Sequence, residues 1–176
     1  TGELKTKPTQ HSVRELRSIG IQPDAIICRS EYPVEDDIKD KIAIHCDVSR
    51  QGVVALPTAD TVYEVPIMLE QEGLGNLIVE SMHLPKVDID LEDWGNMVRR
   101  ISIPKEPLAI AIVGKYVALQ DSYLSVKEAL HHASLVLDCD IDLEWVPAES
   151  IESEGPEAFL AMARGIVVPG GFGPRG

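Results

Sequence analysis

Apolar residues in this chain alternate between short unbroken runs and runs spaced three or four apart, and the two patterns take turns. Val13, Leu16 and Ile19 share one face of a helix predicted over residues 10–19, with Thr9 as the expected N-cap and Gly20 as the stop. Ala25, Ile26, Ile27 and Cys28 form an unbroken apolar run after Pro23 and Asp24, which predicts a buried parallel strand. Residues 34–46 predict a helix whose start carries Glu35, Asp36 and Asp37, acids suited to the positive end of a helix dipole. Residues 52–56 predict a second strand. A helix is expected over 61–72, interrupted at Pro66 and stopped by Gly73, with helical character resuming over 74–82.

The second half repeats the alternation. Leu91, Trp94 and Val98 lie on one side of an amphipathic helix expected over 88–100. Residues 101–107 hold Pro104, Pro107 and the charge pair Lys105 and Glu106, and read as the best linker in the chain. There follow a strand at 108–113, a loop at 114–121, and a helix at 122–137 with Val126, Leu130, Ala133 and Leu137 along one side. A strand is expected at 141–146 and a short helix at 156–164, where Pro156 suits the first turn. The last strand, 166–168, runs into Pro169, Gly170 and Gly171. Strands alternating with helices predict an α/β architecture, the later part opening a doubly wound sheet. Ligands of such sheets bind at the carboxyl ends of strands, where Gly170 and Gly171 sit.

Composition narrows the function. Aromatic residues are only 5% of the 176, so the core must come from Val, Ile, Leu and Ala. The formal net charge of −13 repels phosphate backbones and argues against general nucleic-acid binding. A pocket for a small phosphate ligand would have to be a local cluster working against that field. Cys28, Cys46 and Cys139 lack zinc-type spacing and read as buried, reduced thiols of a cytosolic protein. His11, His45, His83, His131 and His132 show no metal-ligand spacing, so no metal site is expected. Neither a secretory leader nor a membrane-length apolar run is evident, and the expected location is the cytoplasm. The start at Thr1 and the stop on a glycine-rich turn lead us to expect that both ends are cuts.

Three segments carry candidate chemistry. Lys5-Thr6-Lys7-Pro8-Thr9-Gln10 gathers point charges, hydroxyls and an amide ahead of a helix whose first N–H groups aim the same way. By local chemistry alone, an ordinary capped helix with solvated lysines explains it better than a phosphate site. Gly170 and Gly171 after a strand could aim backbone N–H groups at a developing oxyanion, or simply make a tight turn; the motif does not choose. Gly114-Lys115-Tyr116 lacks the spacing of a phosphate loop. Arg29 and Lys41 are equally compatible with ligand contacts and with surface ion pairs.

Taken together, the segments resemble one family along essentially the whole chain. GELKTKPTQHSV at 2–13, LRSIGIQPD at 16–24, ICRS at 27–30, KIA at 41–43, VYEVP at 62–66, VGKY at 113–116, DSYLSV at 121–126 and VPGGFG at 168–173 resemble the CTP synthases in order and spacing. The resemblance implies an amidoligase half of phosphate-loop type, which uses ATP and Mg2+ to phosphorylate the uracil carbonyl oxygen of UTP so that ammonia can displace the phosphate. It implies a class I glutamine amidotransferase half that makes the ammonia with a Cys-His-Glu triad. The domains so implied are 1–87, the end of the amidoligase; 88–107, a linking helix and linker; and 108–176, the start of the doubly wound amidotransferase.

The resemblance also implies site residues. Lys5, Thr6, Lys7, Pro8, Thr9, Gln10 and Lys41 match a site shared by UTP and the inhibitor CTP at a subunit interface. Arg29 and the backbone of Pro57, Thr58 and Ala59 match the adenine site of ATP, although the family often has an Asp-Val-Asp run ahead of the tyrosine. Gly170 and Gly171 match the oxyanion turn, with Gly171 and Phe172 on glutamine. Lys115, Phe172 and Arg175 match positions that meet GTP, the allosteric activator. A homotetramer, with filaments as a further assembly, is implied as well. The phosphate loop, the magnesium carboxylates and the catalytic triad have no counterpart in residues 1–176, so these residues alone are expected to be inactive. A scaffold or filament-forming homologue, or another glutamine amidotransferase, is the alternative.

Overall fold

The computed structural model describes residues 4–171. Contacts divide the chain into two compact units, with the break between Val98 and Arg99. Both are α/β with parallel strands, in line with the predicted class.

In the first unit, helix α1 (Lys7–Ser18) leads to strand β1 (Ile26–Ser30), helix α2 (Asp36–Cys46) crosses over, and strand β2 (Val53–Pro57) returns beside β1. The pairing is parallel, from Ile26 opposite Val53 to Ser30 opposite Pro57. α1 starts earlier than its apolar stripe suggests, and Thr6 rather than Thr9 is its N-cap. Pro8 sits in the first turn, where its missing N–H would have had no partner anyway. Val13, Ile42, Ala43, Cys46 and Val53 form the core, with Ile26, Cys28, Ile38 and Val48 packed around them.

The expectation that β1 is a buried strand is wrong for one of its faces. Ile26 and Cys28 turn toward the core, whereas Ile27 is 47% exposed and Arg29 is exposed. The apolar run is real, but among the described residues the sheet has only the strands β1 and β2. For β2, Val53, Val54 and Ala55 are all buried, because helix α3 (Val65–Gln71) packs on it as well. Pro66 does not interrupt a helix. It stands in the first turn of α3, after a 3-10 turn at Val62–Glu64. Gly73 ends α3 with φ of 81°, a left-handed conformation suited to glycine, and helix α4 (Leu74–Ser81) begins afresh. Helix α5 (Glu92–Ile101) starts at Glu92, not 88; its Trp94 indole donates to the Tyr63 carbonyl at 2.7 Å.

The second unit is a parallel sheet in the order β4-β3-β5, formed by β3 (Pro107–Gly114), β4 (Asp140–Pro147) and β5 (Gly165–Val167). Helix α6 (Leu124–Leu137) carries the chain from β3 to β4. Two short helices, α7 (Ala148–Glu154) and α8 (Glu157–Leu160), carry it back to the other side of β3. α7 was not expected, since Ile151 is its one large apolar residue and leaves no stripe to read. Ile110, Ala111, Ile112 and Val146 are the buried centre. The proline-rich segment before β3 is tied to this unit. Lys105 N–H donates to Asp140 at 2.9 Å, and the Lys105 ammonium, on a side chain only 7% exposed, donates to the Arg100 carbonyl at 2.8 Å. Arg100 in turn donates to the Leu135 carbonyl at the end of α6.

Among the described residues, no helix is long and apolar enough to cross a membrane.

Candidate functional site

The loop before α1, the first turn of α1, the turn after β1 and the start of α2 enclose a cleft of about 1080 Å³. That is slightly above the usual range for small-ligand sites, about 300–1,000 Å³. Lys5, Thr6, Lys7 and Pro8 line it from one side, and Ile38 and Lys41 from α2. Lys41 reaches it because it stands one turn beyond Asp37 on the same face of α2. Among the described residues, no carboxylate lies within ion-pairing distance of Lys5, Lys7 or Lys41. Glu35 and Asp37 line the same cleft without neutralising them by contact.

Not every residue of the lysine segment reaches the cleft. Thr6 is buried, and its hydroxyl accepts a hydrogen bond from the Gln10 amide at 3.0 Å, so Gln10 is turned toward the helix start. Thr9 and Gln10 are absent from the lining. Tyr32, Pro33, Glu35 and Asp37 line it, although sequence reasoning did not select them for a ligand. For Asp37 the helical spacing to Lys41 was the available signal. Tyr32 and Pro33 lie in an irregular turn, which periodicity does not describe.

The carboxyl ends of β1 and β2 form a second locus. Arg29 is opposite Leu56, Ser30 is opposite Pro57, and the Ser30 carbonyl accepts both Thr58 N–H at 2.8 Å and the Thr58 hydroxyl at 3.3 Å. Arg29 and residues 57–59 are therefore neighbours at one sheet end. Pro57 has no N–H and that of Thr58 is already used, so Ala59 N–H and the carbonyls are what this backbone offers a ligand.

In the second unit the chain winds from β3 to β4 on one side and to β5 on the other, so its topological switch point lies between β3 and β5. Lys115 and Gly170 each stand three residues beyond the paired positions Ile112 and Val167, at that carboxyl end. Lys115 is partly buried, with its ammonium 5.8 Å from the centre of the Tyr116 ring. Gly170 and Gly171 are exposed, and neither has a positive φ. Gly114 is there for space: a Cβ would come within 2.6 Å of the Tyr123 hydroxyl, whose ring stacks on Trp145 at 6.3 Å. Phe172 and Arg175 lie outside the described residues.

A further cavity of about 590 Å³ also holds cations, but they are engaged. Lys39 pairs with Glu72 at 2.6 Å, Lys86 with Glu80 at 3.2 Å, and Arg50 with Asp36 and Asp40. Glu72 also accepts Ala55 N–H at 2.9 Å. Burial pushes the Glu72 carboxyl up, but the Lys39 and Ala55 hydrogen bonds and the charges of Lys39 and Arg50 outweigh it and hold it below the usual range. The cysteines are free; Cys46 is buried, as expected, whereas Cys28 and Cys139 are only partly so, because each sits near the margin of its core. Burial, then the neighbouring Cys46, raises the Cys28 thiol against the pull of Lys39, and burial raises Cys46 against Arg17. Both favour the protonated, weakly nucleophilic form. Among the described residues, no group of His, Cys, Asp and Glu side chains is arranged to hold a metal ion.

A family model described as CTP synthase N-terminus matches residues 1–84. Over all 176 residues the chain is 53% identical to a CTP synthase of Dehalococcoides mccartyi, 54% to one of Chloroflexus aggregans and 56% to one of Thermomicrobium roseum. It spans about a third of their length, 32% in each case.

Proposed function

Because the chain belongs to the CTP synthase family, we propose that it is the part of such an enzyme that grips a pyrimidine nucleoside triphosphate. In this reading residues 1–87 close the amidoligase domain, 88–107 link, and 108–176 open a class I glutamine amidotransferase domain. The parallel three-stranded sheet of the second unit, with its winding reversed about β3, supports the last assignment. The whole protein then aminates UTP to CTP with ATP and with nitrogen from glutamine, in the cytoplasm, as a homotetramer activated by GTP and able to form filaments.

The observation that carries the proposal is the convergence of Lys5, Lys7 and Lys41 on one cleft with no carboxylate partner among the described residues. In a chain of net charge −13, leaving ammonium groups unpaired at a concave surface fits a polyanionic ligand. The buried Thr6 and Pro8 fix the start of α1, where Lys7 is the first residue and Lys5 immediately precedes the cap, while Lys41 comes from α2. We assign UTP and CTP to this cleft, and the ATP base to Arg29 and the backbone of residues 57–59. Gly170 and Gly171 are assigned to glutamine, together with Phe172, and Lys115 and Arg175 to GTP with Phe172. When bound, ATP supplies the phosphoryl group that activates the pyrimidine carbonyl. No magnesium ligand is assigned to the described residues.

Lys7→Ala in the full-length protein carrying this chain raises the apparent KM for UTP about 5–20-fold, the worth of one partly solvated charge-assisted contact. It weakens CTP inhibition by a similar factor. Steady-state kinetics at several CTP concentrations test this, and a change in only one of the two would refute a shared site. Residues 1–176 made alone form no CTP and release no glutamate from glutamine; turnover by the purified chain would overturn that assignment.

A further inference from the structure

The nucleotide cleft has a wall that its cations do not explain. Tyr32 lines it beside Lys5, Lys7 and Lys41, with 55% of the residue exposed. Aromatic side chains are scarce here, at 5% of the chain. Tyr63 meets Trp94, Tyr123 stacks on Trp145, and Tyr116 lies beside Lys115. Among the described residues Tyr32 has no ring or cation partner of this kind. An exposed ring on a concave wall removes little surface from water in the free protein, so its stabilising contact is left to a ligand.

The turn that presents it is held. The Ser30 hydroxyl donates to the Tyr32 carbonyl at 2.6 Å, while the Ser30 carbonyl is bonded to Thr58 across the sheet. Pro33 follows, and a residue before proline is restricted to extended backbone. The backbone that offers the ring at the end of β1 is therefore largely fixed before a ligand arrives. The ammonium groups suit phosphates, which leaves the planar part of a nucleotide to be met by something apolar and flat.

We propose that Tyr32 is the platform on which the pyrimidine ring of the triphosphate rests, with Lys5, Lys7 and Lys41 holding its phosphates. This rests on the nucleotide reading of the cleft and adds the residue that distinguishes a pyrimidine nucleotide from a bare polyphosphate. Stacking works through the ring face, so the hydroxyl is dispensable and the aromatic face is not.

Binding of UTP, CTP, ATP and inorganic tripolyphosphate to the full-length protein, measured by calorimetry, tests it. Tyr32→Ala weakens UTP and CTP about 10-fold and tripolyphosphate less than about 2-fold, whereas Tyr32→Phe stays within about 3-fold of the parent for all of them. Lys7→Ala weakens UTP, CTP and tripolyphosphate alike. If Lys7→Ala changes none of them, the cleft is not the triphosphate site and the underlying reading falls. If Lys7→Ala behaves as stated but Tyr32→Ala leaves UTP and CTP unchanged, weakens tripolyphosphate equally, or acts on ATP instead, the platform role is wrong while the cleft assignment stands. Tyr32→Phe guards against a folding defect, since losing pyrimidine affinity with the ring face intact would also refute stacking.

Discussion

Replacing Ile112 with alanine destabilises the second unit by about 2–5 kcal/mol. Ile112 has no exposed surface and lies in β3, the middle strand, with Trp145 opposite it on β4 and Val167 opposite it on β5. Ala111 beside it and Ile110 beyond are also buried, and strands on both sides keep the backbone from collapsing into the space left. The loss therefore combines transfer of the missing carbons with an unfilled cavity. Ile112→Val costs about 1 kcal/mol on the same grounds. Ile166, on the edge strand β5 and 53% exposed, supplies the control, and its alanine variant changes stability by less than about 0.5 kcal/mol. Urea unfolding followed by Trp145 fluorescence in a Trp94→Phe background reads the second unit alone. Equal losses at 112 and 166 would mean that β3 is not the centre of this sheet.

Glu72→Gln destabilises the first unit by about 2 kcal/mol at neutral pH. The Lys39 side chain is 12% exposed and that of Glu72 31%, so an ammonium stripped of its counter-charge stays largely out of water. Glutamine keeps an oxygen for Ala55 N–H but not the charge. A fully buried pair broken this way costs more, about 3–5 kcal/mol, and partial exposure brings the figure down. The direction with pH follows from the carboxyl being held low in the folded state. Its contribution is complete above the ordinary carboxylate pKa and disappears as pH falls through the lower folded value. The stability gap between parent and Glu72→Gln is thus widest near neutrality and closes in acid below the usual carboxylate range. A gap that persisted undiminished there would show that the ion pair is not its source.

Lys39 and Glu72 also show why part of the molecule was illegible. They stand 33 residues apart and belong to different helical segments, so no local pattern joins them. Tyr32 was hidden for a different reason: it stands in an irregular turn tied by Ser30 and followed by Pro33, which is local but has no periodicity to read. Lys5 and Lys7 were conspicuous because they crowd one short stretch. Lys41 looked like any helix-surface lysine until α2 packed beside α1 and turned it into the same cleft. Thr9 was misjudged as the helix cap because the apolar stripe starts after it, whereas the helix starts where Pro8 can be accommodated.

Alone, the order of residues determined the alternation of strands and helices, the parallel class of the sheets and the kinship with CTP synthases, since these depend on local periodicity and on strings of neighbours. Tertiary structure alone decided which cations stay unpaired, which face of β1 remains open, and on which side of β3 the last strand lands. Those outcomes depend on distances between residues far apart along the chain, and burial, pairing and charge cancellation act across space rather than along the backbone.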